Sequence, residues 1–286
     1  QAARLEQLRR DLLGLFDRWG YDLVIPSLVE YTDSLLTGTG NDLELQTFKF
    51  PDQLNGRMMG VRADMTPQAA RIDAHRLRHD APTRLCYIGS VLRTRTEGLT
   101  ASRSPLQIGA ELYGHAGAAS EVEIVCLMMD TLRLAGLHDI YLDLGHVGIF
   151  RALAEAAGLD ESQEGDLFDA LQRKAVAEIE ALVDSFGLHS GMRDMLIALA
   201  DLNGDAQVLQ RARRLLADAP PAVAEAIDHV EAVAADLETA ETKFRHETSR
   251  REAVEEELAR IEADRDKTLA LLAEAEARVV SAQGEF

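Results

Sequence analysis

The sequence predicts an α+β fold with a helical second half, and three observations predict it. Strand-length apolar runs and one hairpin signal cluster in the first 150 residues, with helical periodicity between them. From Val147 onward the pattern turns to Ala- and Leu-rich helices punctuated by Gly158, Gly187, Gly204 and Pro220-Pro221. Beyond Asp236 it turns again, to a Glu-, Arg- and Ala-rich stretch with almost no Gly or Pro before Gly284. The expected organisation is a core over 1–150, a helical insert over 151–236 and a charged helical tail over 237–286.

Leu5, Leu8, Leu12, Phe16 and Trp19 recur at helical spacing and place one apolar stripe on an opening helix that stops at Gly20. Tyr21 to Ile25 then reads as a short strand ended by Pro26. After a loop at Thr37 to Asn41, Thr47 to Phe50 and Arg57 to Arg62 read as hairpin strands around Asp52 to Gly56. Thr66-Pro67 opens a helix, because Thr suits the N-cap and Pro the first helical position. Strands follow at Leu85 to Leu92 and around Ile108, then a helix from Ser120 to Leu134 and a strand from Ile140 to Leu144. In the tail, Leu258, Ile261, Leu272, Ala275 and Val279 share a heptad seam that Arg265 and Thr268 interrupt, the pattern of a solvated helix or weak coiled coil.

Composition narrows the function classes. A hydrophobic content of 47% over 286 residues supports a substantial core. The formal charge of -19 opposes a polyanion, since nucleic-acid affinity rests on Lys and Arg neutralising phosphates, and this argues against tRNA as a partner. Cys86 and Cys126 both sit in apolar runs and read as reduced thiols, which fits a cytoplasmic location. No apolar stretch approaches the roughly 20 residues of a membrane span. His75 and His79, spaced for one helix face, lack a third ligand for a metal. Gly38-Thr39-Gly40 lacks the Lys of a phosphate-binding loop.

The chemistry concentrates between Arg93 and Glu111. An Arg at the end of an apolar strand, a Gly/Ser/Thr loop and a second alternating strand set Gln107, Gly109 and Glu111 on one face, a platform for a small polar ligand. Asp64 and Thr66 lie at a strand-to-helix corner where side chains can meet such a ligand, although Asp64 also suits the cap of that helix.

The ordered set Tyr21 to Glu30, Arg62-Ala63-Asp64-Met65-Thr66-Pro67, Arg93 and Gln107-Ile108-Gly109-Ala110-Glu111 resembles the catalytic core of the histidyl-tRNA synthetases. It resembles still more closely their non-catalytic paralogues, the regulatory subunits of ATP phosphoribosyltransferase, over roughly residues 1 to 235. The resemblance implies a class II aminoacyl-tRNA synthetase-like antiparallel sheet flanked by helices, with a helical insert and the helical C-terminal tail. It also implies a histidine site of Asp64, Thr66, Arg93, Gln107 and Glu111. Asp64 and Thr66 suit an ammonium, Gln107 can donate and accept, Glu111 can accept an imidazole N–H, and Arg93 suits a carboxylate or phosphate.

The departures from the synthetase pattern point away from catalysis. Where a synthetase has the Glu that helps hold ATP, two residues beyond the motif Arg, this chain has Arg95, which has five donors and no acceptor. After Leu237 the charged stretch stands where the family's Gly- and Tyr-containing pocket-closing strand and final Arg motif are expected. The resemblance therefore implies a subunit without catalytic residues, cofactor or metal. Its implied role is to sense histidine and control the short-form catalytic subunit of ATP phosphoribosyltransferase within a hetero-oligomer. Two alternatives stand beside it: a degenerate or truncated histidyl-tRNA synthetase, and a structural interaction protein whose pocket is vestigial.

Overall fold

Leu12, Leu15 and Phe16 form the buried stripe of helix α1 (Ala2–Arg18), and Gly20, at φ 78°, turns the chain out of it. The structure is a computed structural model that describes residues 2–38, 41–77, 81–95 and 102–284. Thr39, Gly40 and His79 lie outside the described residues. The chain falls into two compact units, residues 1–234 and 235–286.

The first unit opens with α1, β1 (Asp22–Leu23), β2 (Val29–Tyr31), α2 (Thr32–Leu35), α3 (Asn41–Gln46), β3 (Phe48–Pro51), β4 (Met58–Val61) and α4 (Thr66–Ile72). A π-helical turn at Asp73–Leu77 extends α4 and leads to β5 (Thr83–Ser90), β6 (Leu106–Tyr113) and α5 (Ala118–Leu134). Two small sheets result. One has the order β1-β5-β6 with β1 parallel to β5 and β6 antiparallel to it; the other is the antiparallel set β2-β4-β3.

The β5–β6 register sorts side chains cleanly because successive residues point to opposite faces. Cys86, Ile108 and Ala110 turn toward α1 and α5, where Leu15, Phe16, Tyr21 and Leu127 complete a buried cluster. Tyr87 faces the other way, toward Met65, Ala69 and Val91 beneath α4. Its neighbours on that face are Gly109, directly opposite, and Gln107 and Glu111 to either side. The sheet is thus walled by α1 and α5 on one face, while its α4 face carries the polar residues.

Helices α6 (Val147–Ala157), α7 (Glu161–Gln172), α8 (Val176–Ser185), α9 (Ser190–Ala198) and α10 (Gln207–Leu215) follow. They enclose a separate core that includes Phe150, Leu153, Leu167, Ile179, Leu196 and Ile227. Their starts are chemically marked. His146 accepts from Gly148 N at 3.0 Å, Asp160 and Gln163 form a reciprocal capping box, and His189 accepts from Met192 N at 3.2 Å. The last helix, α11, spans Pro221–Gly284. In the second unit Leu258 and Ile261, two of the seam positions, are 54% and 57% exposed, as expected of a solvated helix.

Three elements differ from the sequence expectation. The strand from Tyr21 contracts to Asp22–Leu23 and joins the sheet in parallel, through Asp22↔Leu85 and Leu23↔Cys86. Thr66 is the first residue of α4 and not its cap; Met65 holds the N-cap position, and Asp64 Oδ1 accepts the Thr66 N–H at 3.0 Å. Ile140 to Leu144 forms no strand, and Tyr141 is 90% exposed. A strand needs a neighbour for its backbone groups, and among the described residues β6 pairs on one edge only, with β5. Neither cysteine forms a disulfide; Cys86 is buried and Cys126 half-buried. Among the described residues no metal-binding group of three or more His, Cys, Asp or Glu occurs, and no helix is long and apolar enough to cross a membrane.

Candidate functional site

The platform is built where the β5–β6 hairpin meets the corner between β4 and α4. Gly109 makes it possible. A Cβ added there would lie 2.3 Å from the Tyr87 hydroxyl, so only glycine lets the Tyr87 ring lie across β6. The phenol then reaches both sides of the site: its oxygen is 2.7 Å from Thr66 Oγ1, and it donates to Glu111 Oε1 at 2.8 Å. With the Tyr87 proton given to Glu111, Thr66 is the donor to Tyr87. Burial, then the neighbouring Glu111 and Asp64 carboxylates, pushes the Tyr87 phenol above its ordinary range, so it remains a neutral donor.

A second string runs beside the first. Gln107 Nε2 donates to Asp64 Oδ1 at 2.6 Å, and Gln107 Oε1 accepts from Met65 N at 3.0 Å. Asp64 Oδ1 also holds the Thr66 N–H. The two ends of the Gln107 amide are therefore fixed against the loop that starts α4, and this determines which end is oxygen. Gln107, Asp64, Thr66, Tyr87 and Glu111 form one hydrogen-bonded lattice, with Asp64 Oδ2 and Glu111 Oε2 left as acceptors.

Arg93 stands apart. It lies beyond β5, bridges to Thr47, and donates from Nε to Ala63 O at a long 3.4 Å. Among the described residues no hydrogen bond joins it to the other four sequence-predicted residues. Arg95 is exposed.

Two residues that shape the platform are not among the five that the sequence assigns to the site. Tyr87 looked like one more apolar position of a strand; the signal was its place opposite Gly109, which becomes visible only once the register is known. Arg62 is the other. It is 7% exposed, donates from Nη1 to Pro26 O at 2.6 Å and from Nε to Ser90 O at 2.9 Å, and so ties the segment after β1 to the end of β5. Burial pulls its guanidinium below the usual range. A Cβ at Gly89 would meet Arg62 Nη2 at 2.5 Å, which explains that glycine. Arg62 therefore braces the corner that presents Asp64 and Thr66, and takes no place on the platform.

Residues 1–253 match the histidyl-tRNA synthetase family. The chain belongs to the histidyl-tRNA synthetase family. Within that family it is similar to proteins named ATP phosphoribosyltransferase regulatory subunit. The one from Thioalkalivibrio sulfidiphilus is 59% identical over 233 residues, which cover 82% of this chain and 59% of the relative. The one from Alkalilimnicola ehrlichii is 59% identical over 238 residues, covering 83% and 59%. The chain thus spans about three-fifths of the length of the curated relatives it matches. Among solved structures it is similar to an ATP phosphoribosyltransferase regulatory subunit/histidyl-tRNA synthetase from Bacillus halodurans C. The TM-score is 0.72 at 27% identity, with 82% of this chain and 60% of that one covered. Histidyl-tRNA synthetase from Nostoc sp. PCC 7120, 14% identical at a TM-score of 0.65 with 83% and 55% covered, shares the fold. The class II synthetase-like fold expected from the sequence is therefore present.

Proposed function

We propose that this member of the histidyl-tRNA synthetase family is a non-catalytic regulatory subunit of ATP phosphoribosyltransferase that binds histidine and passes that signal to a short-form catalytic subunit. The observation that carries the reading is the hydrogen-bonded lattice of Asp64, Thr66, Tyr87, Gln107 and Glu111. A platform held rigid before the ligand arrives loses little entropy on binding. In this reading the histidine ammonium lies between Asp64 Oδ2 and Thr66 Oγ1, the imidazole N–H reaches Glu111, and Gln107 and Arg93 face the carboxylate. Charge-assisted contacts contribute about 1.5 to 3 kcal/mol each, so a few suffice for micromolar affinity. An acceptor for nucleotide is missing where Arg95 stands, so the chain is proposed to bind histidine without ATP and to catalyse neither aminoacylation nor phosphoribosyl transfer. The names of the relatives support the assignment to the ATP phosphoribosyltransferase complex, and a cytoplasmic hetero-oligomer is the setting proposed for it.

Calorimetric titration with histidine and with ATP, separately and together, tests the reading. Histidine alone should give saturable heat, ATP none, and Glu111→Gln should weaken histidine at least tenfold. Joint binding with pyrophosphate exchange would instead assign a synthetase. Absence of both would leave a structural interaction protein, a reading favoured by one observation: among the described residues β6, beside the platform, pairs on one edge only.

A further inference from the structure

The helical half of the first unit contains a cavity of about 290 Å³ that the platform does not use. Its walls come from α6, α7, α10 and the start of α11, and include Phe150, Phe168, Leu209 and Ile227. Its polar lining is confined to a few groups, among them Gln172, Lys174 and Asn203, all exposed at their outer ends. In a chain with 49 Asp and Glu residues, none of the residues lining this cavity is acidic. The combination is an apolar wall with a lysine at its mouth.

Lys174 is the informative residue. At φ 51° it is the one non-glycine residue with positive φ among those described, in a conformation that L side chains rarely adopt. Glycine would serve the α7–α8 turn without strain, so a lysine held there points to use of its side chain. The adjacent Arg173 is committed to Glu178, through two bonds of 2.9 Å. Lys174 has no ion-pair partner among the described residues; its backbone N–H bonds Leu171 O at 3.0 Å, and this fixes where the side chain departs.

We propose that this cavity binds a small amphiphilic carboxylate, with its acyl chain among Phe150, Phe168, Leu209 and Ile227 and its anionic head at Lys174 and the amides of Gln172 and Asn203. The volume sits at the lower end of small-molecule sites, about 300 Å³, which selects a short or medium chain. The ammonium sets the sign of the head group; the Gln172 amide can donate to one carboxylate oxygen, and Asn203, whose Nδ2 already donates to Ala200 O at 3.3 Å, has a second amide hydrogen for the other.

Octanoate, octanol and octylamine are the probes, titrated calorimetrically into the full chain. The expected result is one saturable octanoate site and no site for octylamine. Lys174→Gly retains the backbone conformation and removes the ammonium, so octanoate should weaken at least tenfold while octanol is unaffected. Asn203→Asp, at the exposed mouth, should weaken octanoate with the melting temperature unchanged. Ala212→Leu, which intrudes on the cavity, should abolish binding of both octanoate and octanol in protein shown by its melting curve to be folded. Unsaturable octanoate heats, equal binding of octylamine, or octanoate affinity unchanged in both Lys174→Gly and Asn203→Asp would overturn the proposal.

Discussion

Tyr87 sets the geometry of the platform, although its own side chain is almost wholly buried. Its hydroxyl is the only described link between Thr66 and Glu111, and it stands where it does because Gly109 has no Cβ to displace it. Tyr87→Phe keeps the ring and deletes both bonds, leaving Thr66 and Glu111 to find other partners. A stability loss of about 1 to 2 kcal/mol is expected, together with at least tenfold weaker histidine binding. Gly109→Ala should be worse, since the ring itself must move. Denaturant unfolding and calorimetry on the two variants provide the check, and native histidine affinity in both would remove Tyr87 from the site. The same residues explain what sequence could reveal at this scale. Gln107, Gly109 and Glu111 share a face by strand periodicity alone, so that part of the site was legible. The role of Tyr87 depends on its pairing with Gly109 across two strands, a tertiary fact that no local pattern encodes. Thr66 was read as a cap because its type and place suit one; the cap-like bond instead went to the carboxylate two residues earlier.

Among the elements, α5 is fastened to the sheet by more than its apolar face. Glu123 on α5 receives Arg84 of β5 side-on, at 2.6 and 2.7 Å, and the Tyr21 hydroxyl at 2.9 Å. The Arg84 hydrogen bonds hold the Glu123 carboxyl below its ordinary value of 4.5, with Tyr21 adding to the effect. A depressed folded-state pKa stabilises the protein above the unfolded value, and the contribution disappears as pH falls through the folded one. Glu123→Gln should therefore cost about 1 kcal/mol at neutral pH, a modest figure because Arg84 is partly exposed, and the difference from the parent should shrink as the pH falls below 4.5 and on through the lowered folded-state value. Denaturant midpoints measured across that range supply the test; a gap that persists in acid would assign the loss to packing and not to charge. Legibility at this scale follows from how local each element is. The α1 stripe and the β3–β4 hairpin announce themselves within their own windows, and both formed. Ile140 to Leu144 has the alternation of a strand but no strand, because alternation specifies a face and leaves the partner unspecified.

For the molecule as a whole, a sensor differs from a binding protein by a coupling free energy, and that coupling is reciprocal between sites. If histidine on this chain inhibits a short-form catalytic subunit, the inhibited complex must bind histidine more tightly than the free chain does, by the factor through which histidine favours that state. A tenfold shift corresponds to about 1.4 kcal/mol. The net charge of -19 is compatible with such a role, since a surplus of carboxylates works against contact with a polyanion. Alone, the chain should show neither phosphoribosyl transfer nor aminoacylation. Mixed with a short-form catalytic subunit from a bacterium that carries a close relative, it should co-purify and make phosphoribosyl transfer sensitive to histidine. The histidine dissociation constant, measured with and without the partner, should change by the predicted factor. A catalytic subunit that neither associates nor changes its rate or inhibition would end the regulatory reading. Association without inhibition would instead point to the β6 edge beside the platform, which has no strand partner among the described residues. Joining the remaining two-fifths of a relative's length to this chain should then pair that edge, close the site over Gln107 and Glu111, and restore the response to histidine.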